Sequence, residues 1–369
     1  MKKVLMISGS LPPIKCGVGY YTQRLLQELS GRAEVEVLST TGVNDDLSQK
    51  LYTVNDWRLG SLPKILSIVK SSGAGIVHVQ YPAVGYKRNL GINLLPYALR
   101  ILHPKLKIIV TLHEYHESRW LGRWRDSITV LPAHKIIVSN QSDWLALKSL
   151  RSKVELVPIG PNFDKAPKDP EYFGRLMAKH KLDMTKTTVL FFGFAERNKQ
   201  LEVLLEALCK PELAGFQALL LTSLDRSDVY QNDLRGFIDE INSQAPRVGV
   251  TGFLPDKEVS AVLQQGKYFV IPQAQPISPK SSTAIAAVTH GLILISGGSA
   301  DLNETTPFEN QKNCLLIQGL DSQSLAGAIV GLDKDSAAQK TILAGASELT
   351  KYFSWGSIIE KHLGIYEKL

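Results

Sequence analysis

The stretch PQAQPISPKSSTAIAAVTHG, residues 272–291, gathers Ser278, Lys280, Ser281, Ser282 and Thr283 just ahead of an alanine-rich run. Small hydroxyls at a helix start serve one of two ends: they cap the first backbone N–H groups, or they join those groups in gripping an anion. Lys280 adds charge to the second reading. A second cationic loop, FFGFAERNKQLEVLLEAL, carries Arg197 and Lys199 between an apolar run and a helical one. Two cations there can neutralise a diphosphate, or they form an ordinary solvated pair. A third loop, GSLPPIKCGVGYY, holds Gly9, Gly17 and Gly19 before a helix. Gly17 and Gly19 let backbone approach a ligand, although the spacing is too long for a GxGxxG fingerprint and suits a plain glycine turn equally.

Histidines mark two further apolar runs. VHVQYPAVGY places His78, Gln80 and Tyr81 at a strand end, where His78 is either a core residue with satisfied nitrogens or an acceptor contact. TLHEYHES clusters His113, Glu114, His116 and Glu117. It lacks HExxH and a nearby third ligand, so no metal is expected and His113 stands as a polar or general-base group.

These loops need strands and helices to position them. Short apolar runs alternate with amphipathic segments from KVLMIS through VELVPIG, and again from TTVLFFGF to NCLLIQ. Runs apolar on both faces, alternating with helices, predict parallel sheets covered on both sides. The rhythm breaks at GPNFDKAPKDPEYFGRLMAKHKLDMTK, which is rich in proline and charge and reads as a linker followed by a helix. The 369 residues therefore divide into an expected first domain over 1–165, a second over 166–350 and a closing amphipathic helix over 351–369. Such sheets bind ligands outside the carboxyl ends of their strands, and two of them are expected to face a deep cleft.

Charge separates the halves. Residues 1–165 carry 22 Lys/Arg against 12 Asp/Glu, and residues 166–369 carry 20 against 23. A basic first half attracts an anionic substrate, membrane or nucleic acid, but no zinc-finger, RRM or basic-zipper pattern is present, and no nucleic-acid partner is expected. GYKRNLGINLLPYALRILHPKLK and ESRWLGRWRDS mix cations with Trp120 and Trp124. Such mixtures dock on anionic bilayers, or form a solvated helix face over core tryptophans. No apolar run approaches the ~18 residues of a membrane span. MKKVLMISGSLPP leaves its apolar run too early for a signal peptide and reads as a first strand. Three scattered cysteines, Cys16, Cys209 and Cys314, give no disulfide framework. A cytoplasmic location is expected, with peripheral contact at the inner membrane face if the bilayer reading holds.

Taken in order, these segments resemble the retaining glycosyltransferases of the GT4 type, with the GT-B fold of two Rossmann-like domains. The resemblance spans nearly the whole chain. PIKCGVGYYTQRLLQEL looks like the family's first loop and helix, VELVPIGPNFD like its hinge, FFGFAERNKQLEVLLEAL like its diphosphate loop, and VGVTGFLPDKEVSAVL like its base-binding segment. FSW…YEKL looks like the last helix, which in this family crosses back to the first domain.

The resemblance implies a nucleotide-sugar donor, UDP- or GDP-linked, and a glycan or lipid-linked acceptor, in bacterial surface-polysaccharide synthesis. It implies no resident cofactor or metal. Gly17 would approach the donor phosphates, Lys199 would hold the diphosphate, and Arg197 would stand in for an arginine whose usual place is Phe194 here. Gly252, Phe253 and Leu254 would hold the base, His113 would lie near the reacting sugar, and His78 and Tyr81 would lie on the acceptor side. One departure is plain: two glutamates that the family usually carries fall at Ser278 and Ala286. Two other readings follow from that loss. One is a catalytically inactive GT-B protein that binds a nucleotide or a protein partner. The other, weaker because it needs carboxylate chemistry, is a sugar-nucleotide epimerase.

Overall fold

The computed structural model describes residues 2–42, 48–115, 120–273, 275–298 and 306–369, and its chain divides into two compact units. The first comprises Met1–Asn162 together with Ser354–Leu369, the second Phe163–Phe353.

The first unit runs β1 (Val4–Ser8), α1 (Gly17–Leu29), β2 (Val35–Thr40), β3 (Leu51–Val54), α2 (Leu62–Ser72), β4 (Ile76–Tyr81), α3 (Gly91–Leu102), β5 (Lys107–Leu112), α4 (Trp120–Val130), β6 (Lys135–Val138), α5 (Gln141–Ala146) and β7 (Val154–Leu156). Its strands form one parallel sheet in the order β3-β2-β1-β4-β5-β6-β7. The second unit runs α6 (Pro170–Lys179), β8 (Thr187–Phe192), α7 (Leu201–Leu208), β9 (Phe216–Leu221), α8 (Val229–Gln244), β10 (Val248–Val250), α9 (Asp256–Leu263), β11 (Tyr268–Ile271), α10 (Ser282–Thr289), β12 (Ile293–Gly297), β13 (Leu315–Ile317), α11 (Ser322–Lys334) and α12 (Ser336–Tyr352). Its parallel sheet has the order β10-β9-β8-β11-β12-β13. α13 (Trp355–Glu367) belongs to the first unit.

Apolar runs become the central strands because both sheet faces are covered. Every residue of β1, β4 and β9 is buried, and their Val, Ile and Leu side chains fill the layers between sheet and helices. α13 closes one face of the first unit with Ile358, Ile359, Leu363 and Tyr366, which pack with Val4, Met6, Ile76 and Ile109. Its Trp355 indole N–H donates to the Pro161 carbonyl at 2.9 Å, and a Cβ at Gly160 would meet that indole at 2.5 Å.

Three elements escape the pattern of the sequence. β3 is only four residues long, at the sheet edge. α4 coincides with the basic tryptophan-bearing stretch, whose apolar side chains do not follow a core-facing stripe. α12 is rich in alanine and small residues, which weakens its amphipathic signal.

Each sheet has one point where the strand order reverses, between β1 and β4 in the first and between β8 and β11 in the second. Loops leaving these neighbouring strands diverge to opposite faces, and the crevice between them is the expected ligand site of an open parallel sheet.

Candidate functional site

In the second unit the reversal lies between the loops that follow β8 and β11. Lys199, in a 3-10 turn just ahead of α7, reaches across this point, and its amine donates to the Gln273 Oε1 at 2.9 Å. Gln273 stands two residues beyond β11. Its amide nitrogen donates to the carbonyls of Gln275 at 3.0 Å and Pro276 at 3.3 Å, which fixes the oxygen toward Lys199. The amine is partly buried, and desolvation holds its pKa below the usual 10.5 against the opposing pull of Glu196. Gly193, at φ +128, follows β8; a Cβ there would meet the Thr283 hydroxyl at 3.4 Å. Gly193 and Lys199, both from the loop after β8, thus meet Gln273 and Thr283 from the segment after β11 at neighbouring strand ends.

The hydroxyl-rich stretch divides its work. Ser281 is the N-cap of α10, and its hydroxyl accepts from the Ala284 N–H at 3.3 Å. Ser278 is exposed; its hydroxyl accepts from the Lys280 N–H at 3.2 Å and its carbonyl from the Ser281 N–H at 2.9 Å. Capping therefore accounts for Ser281 and orders the turn that carries Lys280. Ser282 opens the helix. Ala286 is buried and offers no polar group in place of a carboxylate. His290, the C-cap four residues on, is a structural residue. Its Nδ1–H donates to the Ala286 carbonyl at 2.8 Å and its Nε2 meets the Ser260 hydroxyl at 2.9 Å.

Arg197, in the same 3-10 turn as Lys199, is exposed, and its guanidinium lies 5.1 Å from the centroid of the Tyr230 ring. Gly252 adopts φ +79, with its N–H bonded to the Thr222 carbonyl at 3.1 Å beside the end of β9. That turn presents Phe253 to solvent at 86% exposure, a free aromatic face of the type on which a base stacks, with Leu254 half-buried next to it.

In the first unit the loops after β1 and β4 lock together. A Cβ on Gly85 would lie 1.6 Å from the Gly9 carbonyl oxygen, and the Gly85 N–H donates to the Ser10 hydroxyl at 2.8 Å. Only glycine allows that approach. Between these loops lies a cavity of about 570 Å³. Gly17 lines it at the start of α1, where an added Cβ would meet nothing within 4 Å, so its backbone is open to a ligand. Tyr81 also lines it, its hydroxyl accepting from the Asn93 amide at 2.9 Å. Lys87, Arg88, Arg125 and Glu114 supply the charged part of the wall.

His78 does not reach this cavity. It is fully buried between the sheet and α13, with Nδ1 2.9 Å from the Tyr366 hydroxyl and Nε2 2.7 Å from the Thr111 hydroxyl. Both nitrogens are engaged, so the acceptor-side expectation for His78 gives way to a structural link under the last helix. Burial, with His362 and His113 nearby, holds its pKa well below 6.5. His113 lies just beyond β5 and is almost fully buried. Its Nε2–H donates to the Gln80 Oε1 at 3.0 Å and its ring meets Tyr21 edge-on at 5.3 Å. His116 and Glu117 lie outside the described residues. Among the described residues no three His, Cys, Asp or Glu side chains gather as a metal-holding group.

Sequence reasoning missed Gln273, Lys87, Arg88, Asn93 and Arg125. Gln273 carried a usable signal, its place just past an apolar strand. Lys87, Arg88 and Arg125 stood out only as members of basic stretches and Asn93 not at all, because their meeting depends on how loops remote in sequence pack.

Two open parallel sheets, each with a single order reversal, define the GT-B fold. The architecture recurs in solved structures across essentially the whole chain. A glycosyltransferase from Rickettsia africae matches with a TM-score of 0.74 at 17% identity, covering 100% of this chain and 98% of that one. HepE of Anabaena in complex with UDP matches with a TM-score of 0.74 at 17% identity, both chains covered in full. Sucrose-phosphate synthase from Thermosynechococcus elongatus matches with a TM-score of 0.69 at 19% identity, covering 100% and 99%. At such identities the likeness establishes the fold. No protein-family model and no curated protein matches the sequence.

Proposed function

We propose that the protein is a GT4-type retaining glycosyltransferase that moves a sugar from a nucleotide-sugar donor, UDP- or GDP-linked, to a glycan or lipid-linked acceptor in bacterial surface-polysaccharide synthesis. The observation that carries this reading is the Lys199–Gln273 pair at the strand-order reversal of the second sheet. A partly desolvated amine held by a neutral oxygen is a cation awaiting an anion: a diphosphate replaces one weak acceptor with charged ones. HepE, with the same fold, was solved with UDP and with UDP-glucose. Lys199, Lys280, Arg197 and the α10 N-terminus would stabilise the departing diphosphate without a metal, and Gly252, Phe253 and Leu254 would hold the base. His113 would serve beside the reacting sugar, Gly17 would approach the donor phosphates through its backbone, and Tyr81 would lie on the acceptor side.

The test is a panel of UDP- and GDP-sugars assayed for hydrolysis and transfer, with Lys199→Ala alongside. Turnover that Lys199→Ala leaves unchanged refutes the diphosphate assignment. Ser278 and Ala286 favour a second reading, a catalytically inactive GT-B protein that binds a nucleotide or a partner. Tight UDP binding with no turnover on the whole panel would select it.

A bilayer-bound acceptor suits the surface of α3 and α4, which pack against each other. Ile101, Trp120 and Trp124 are exposed at 77%, 76% and 65%, so these tryptophans are surface residues and not core. No helix among the described residues is long and apolar enough to cross a membrane. Peripheral docking on anionic lipid is the matching proposal.

A further inference from the structure

The cavity of the first unit has a charge pattern that the transferase reading leaves unused. Among the described residues its wall holds three cations, Lys87, Arg88 and Arg125, against one carboxylate, Glu114. Lys87 and Arg88 have no ion pair among the described residues. Both adopt left-handed backbone, at φ 48 and φ 59, which side-chain-bearing residues avoid. Two adjacent residues in that region persist because their surroundings impose it. The Lys87 N–H donates to the Val84 carbonyl at 3.0 Å, the Asn89 N–H to the Tyr86 carbonyl at 2.8 Å, and Gly85 is locked against Gly9. The loop is thus a rigid mount that holds two uncompensated cations at the mouth of a sugar-sized space. The volume, about 570 Å³, falls in the range of small-molecule sites. Tyr81 and Asn93 supply the neutral polar groups that a sugar would meet.

We infer that this cavity binds a phosphate-bearing sugar, the phosphate held by Lys87, Arg88 and Arg125. The excess of cations matches a phosphate or diphosphate ester better than a single carboxylate, and guanidinium groups suit phosphate oxygens geometrically. That this ligand is the acceptor rests on the transferase reading; that the cavity binds it does not.

Calorimetric titration of the full chain tests the inference, with glucose 1-phosphate, inorganic pyrophosphate, glucose and glucuronate as probes and saturating UDP present to fill the nucleotide site. Glucose 1-phosphate and pyrophosphate are expected to bind, with glucose and glucuronate at least about tenfold weaker. Lys87→Asn and Arg88→Asn remove charge while keeping a residue that tolerates left-handed backbone. Together they are expected to weaken glucose 1-phosphate about 100-fold at an unchanged melting temperature. Three results overturn the inference: no phosphate binding once UDP is bound, binding indifferent to both substitutions, or glucuronate binding as tightly as glucose 1-phosphate. UDP binding without a second phosphate site sinks the cavity and spares the transferase reading. Phosphate binding sensitive to Lys87 and Arg88 in a chain that binds no nucleotide does the reverse.

Discussion

Lys199 is a cation whose burial makes it more dependent on its partner. Gln273 supplies a single neutral oxygen, so a bound diphosphate gains nearly the whole charge-assisted hydrogen bond. Lys199→Ala is expected to weaken UDP or GDP about 10- to 100-fold, matching the ~1.5–3 kcal/mol of a hydrogen bond to a charged group. Gln273→Ala should move affinity by less than Lys199→Ala, since it removes the holder and not the charge. Calorimetry on both variants separates the two. Gly17 offers a different kind of test. An added methyl meets nothing within 4 Å beyond its chain neighbours and its own helix backbone, so Gly17→Ala should keep the melting temperature within a few degrees. The methyl would occupy ligand space, and transfer should fall about tenfold, ~1.4 kcal/mol. A large loss of stability with unchanged transfer would contradict the open backbone at this position.

At the scale of elements, the loops after β1 and β4 act as one interlocked piece. Gly85→Ala forces a Cβ onto the Gly9 carbonyl, and backbone cannot retreat as a flexible side chain would. A loss of ~3 kcal/mol or more is expected from such overpacking, read as a lower urea midpoint. The seam between the first sheet and α13 has a pH dependence of definite sign. His362 is fully buried and its pKa is pushed down to about 4, first by burial; His78 is held well below 6.5 for the same first reason. Above pH 6.5 both states leave these rings neutral and no stability is lost. Below it the unfolded chain takes up protons that the folded chain refuses. Stability should therefore fall as pH drops from about 6.5 toward 4, by ~3 kcal/mol from His362 alone. Urea unfolding at pH 7.5 and pH 5 measures it, and His362→Phe should flatten the difference.

At the scale of the molecule, the chain returns to its first unit after completing the second. Ile358, Ile359, Leu363 and Tyr366 are core residues of that unit, so a chain ending at residue 353 should expose the face they cover and aggregate. Adding a peptide of residues 354–369 during refolding should restore soluble protein; a stable, monomeric truncated chain would show that the helix is dispensable. The exposed tryptophans predict a second whole-molecule property. Flotation with anionic vesicles should carry the protein at low salt and fail at high salt, and Trp120→Ser with Trp124→Ser should abolish it. Equal flotation with neutral vesicles would count against the charge contribution.

The sequence alone determined what depends on near neighbours. Apolar runs alternating with amphipathic ones specify parallel sheets under helices, because each pattern encodes which faces must leave water, and the positions of Lys199 and the hydroxyl-rich stretch at strand ends follow from the same alternation. Tertiary structure decided what depends on remote packing. His78 could be read as a ligand contact or a core residue until α13 brought Tyr366 to its Nδ1. Ser281 could grip an anion or cap a helix until its hydroxyl met the Ala284 N–H. Lys87 and Arg88 read as part of a basic surface stretch until the Gly9–Gly85 contact fixed their loop at a cavity wall. Side-chain type and spacing set the chemistry each residue can offer. Which groups share a space is settled only when segments 70 or more residues apart bury their surfaces against each other.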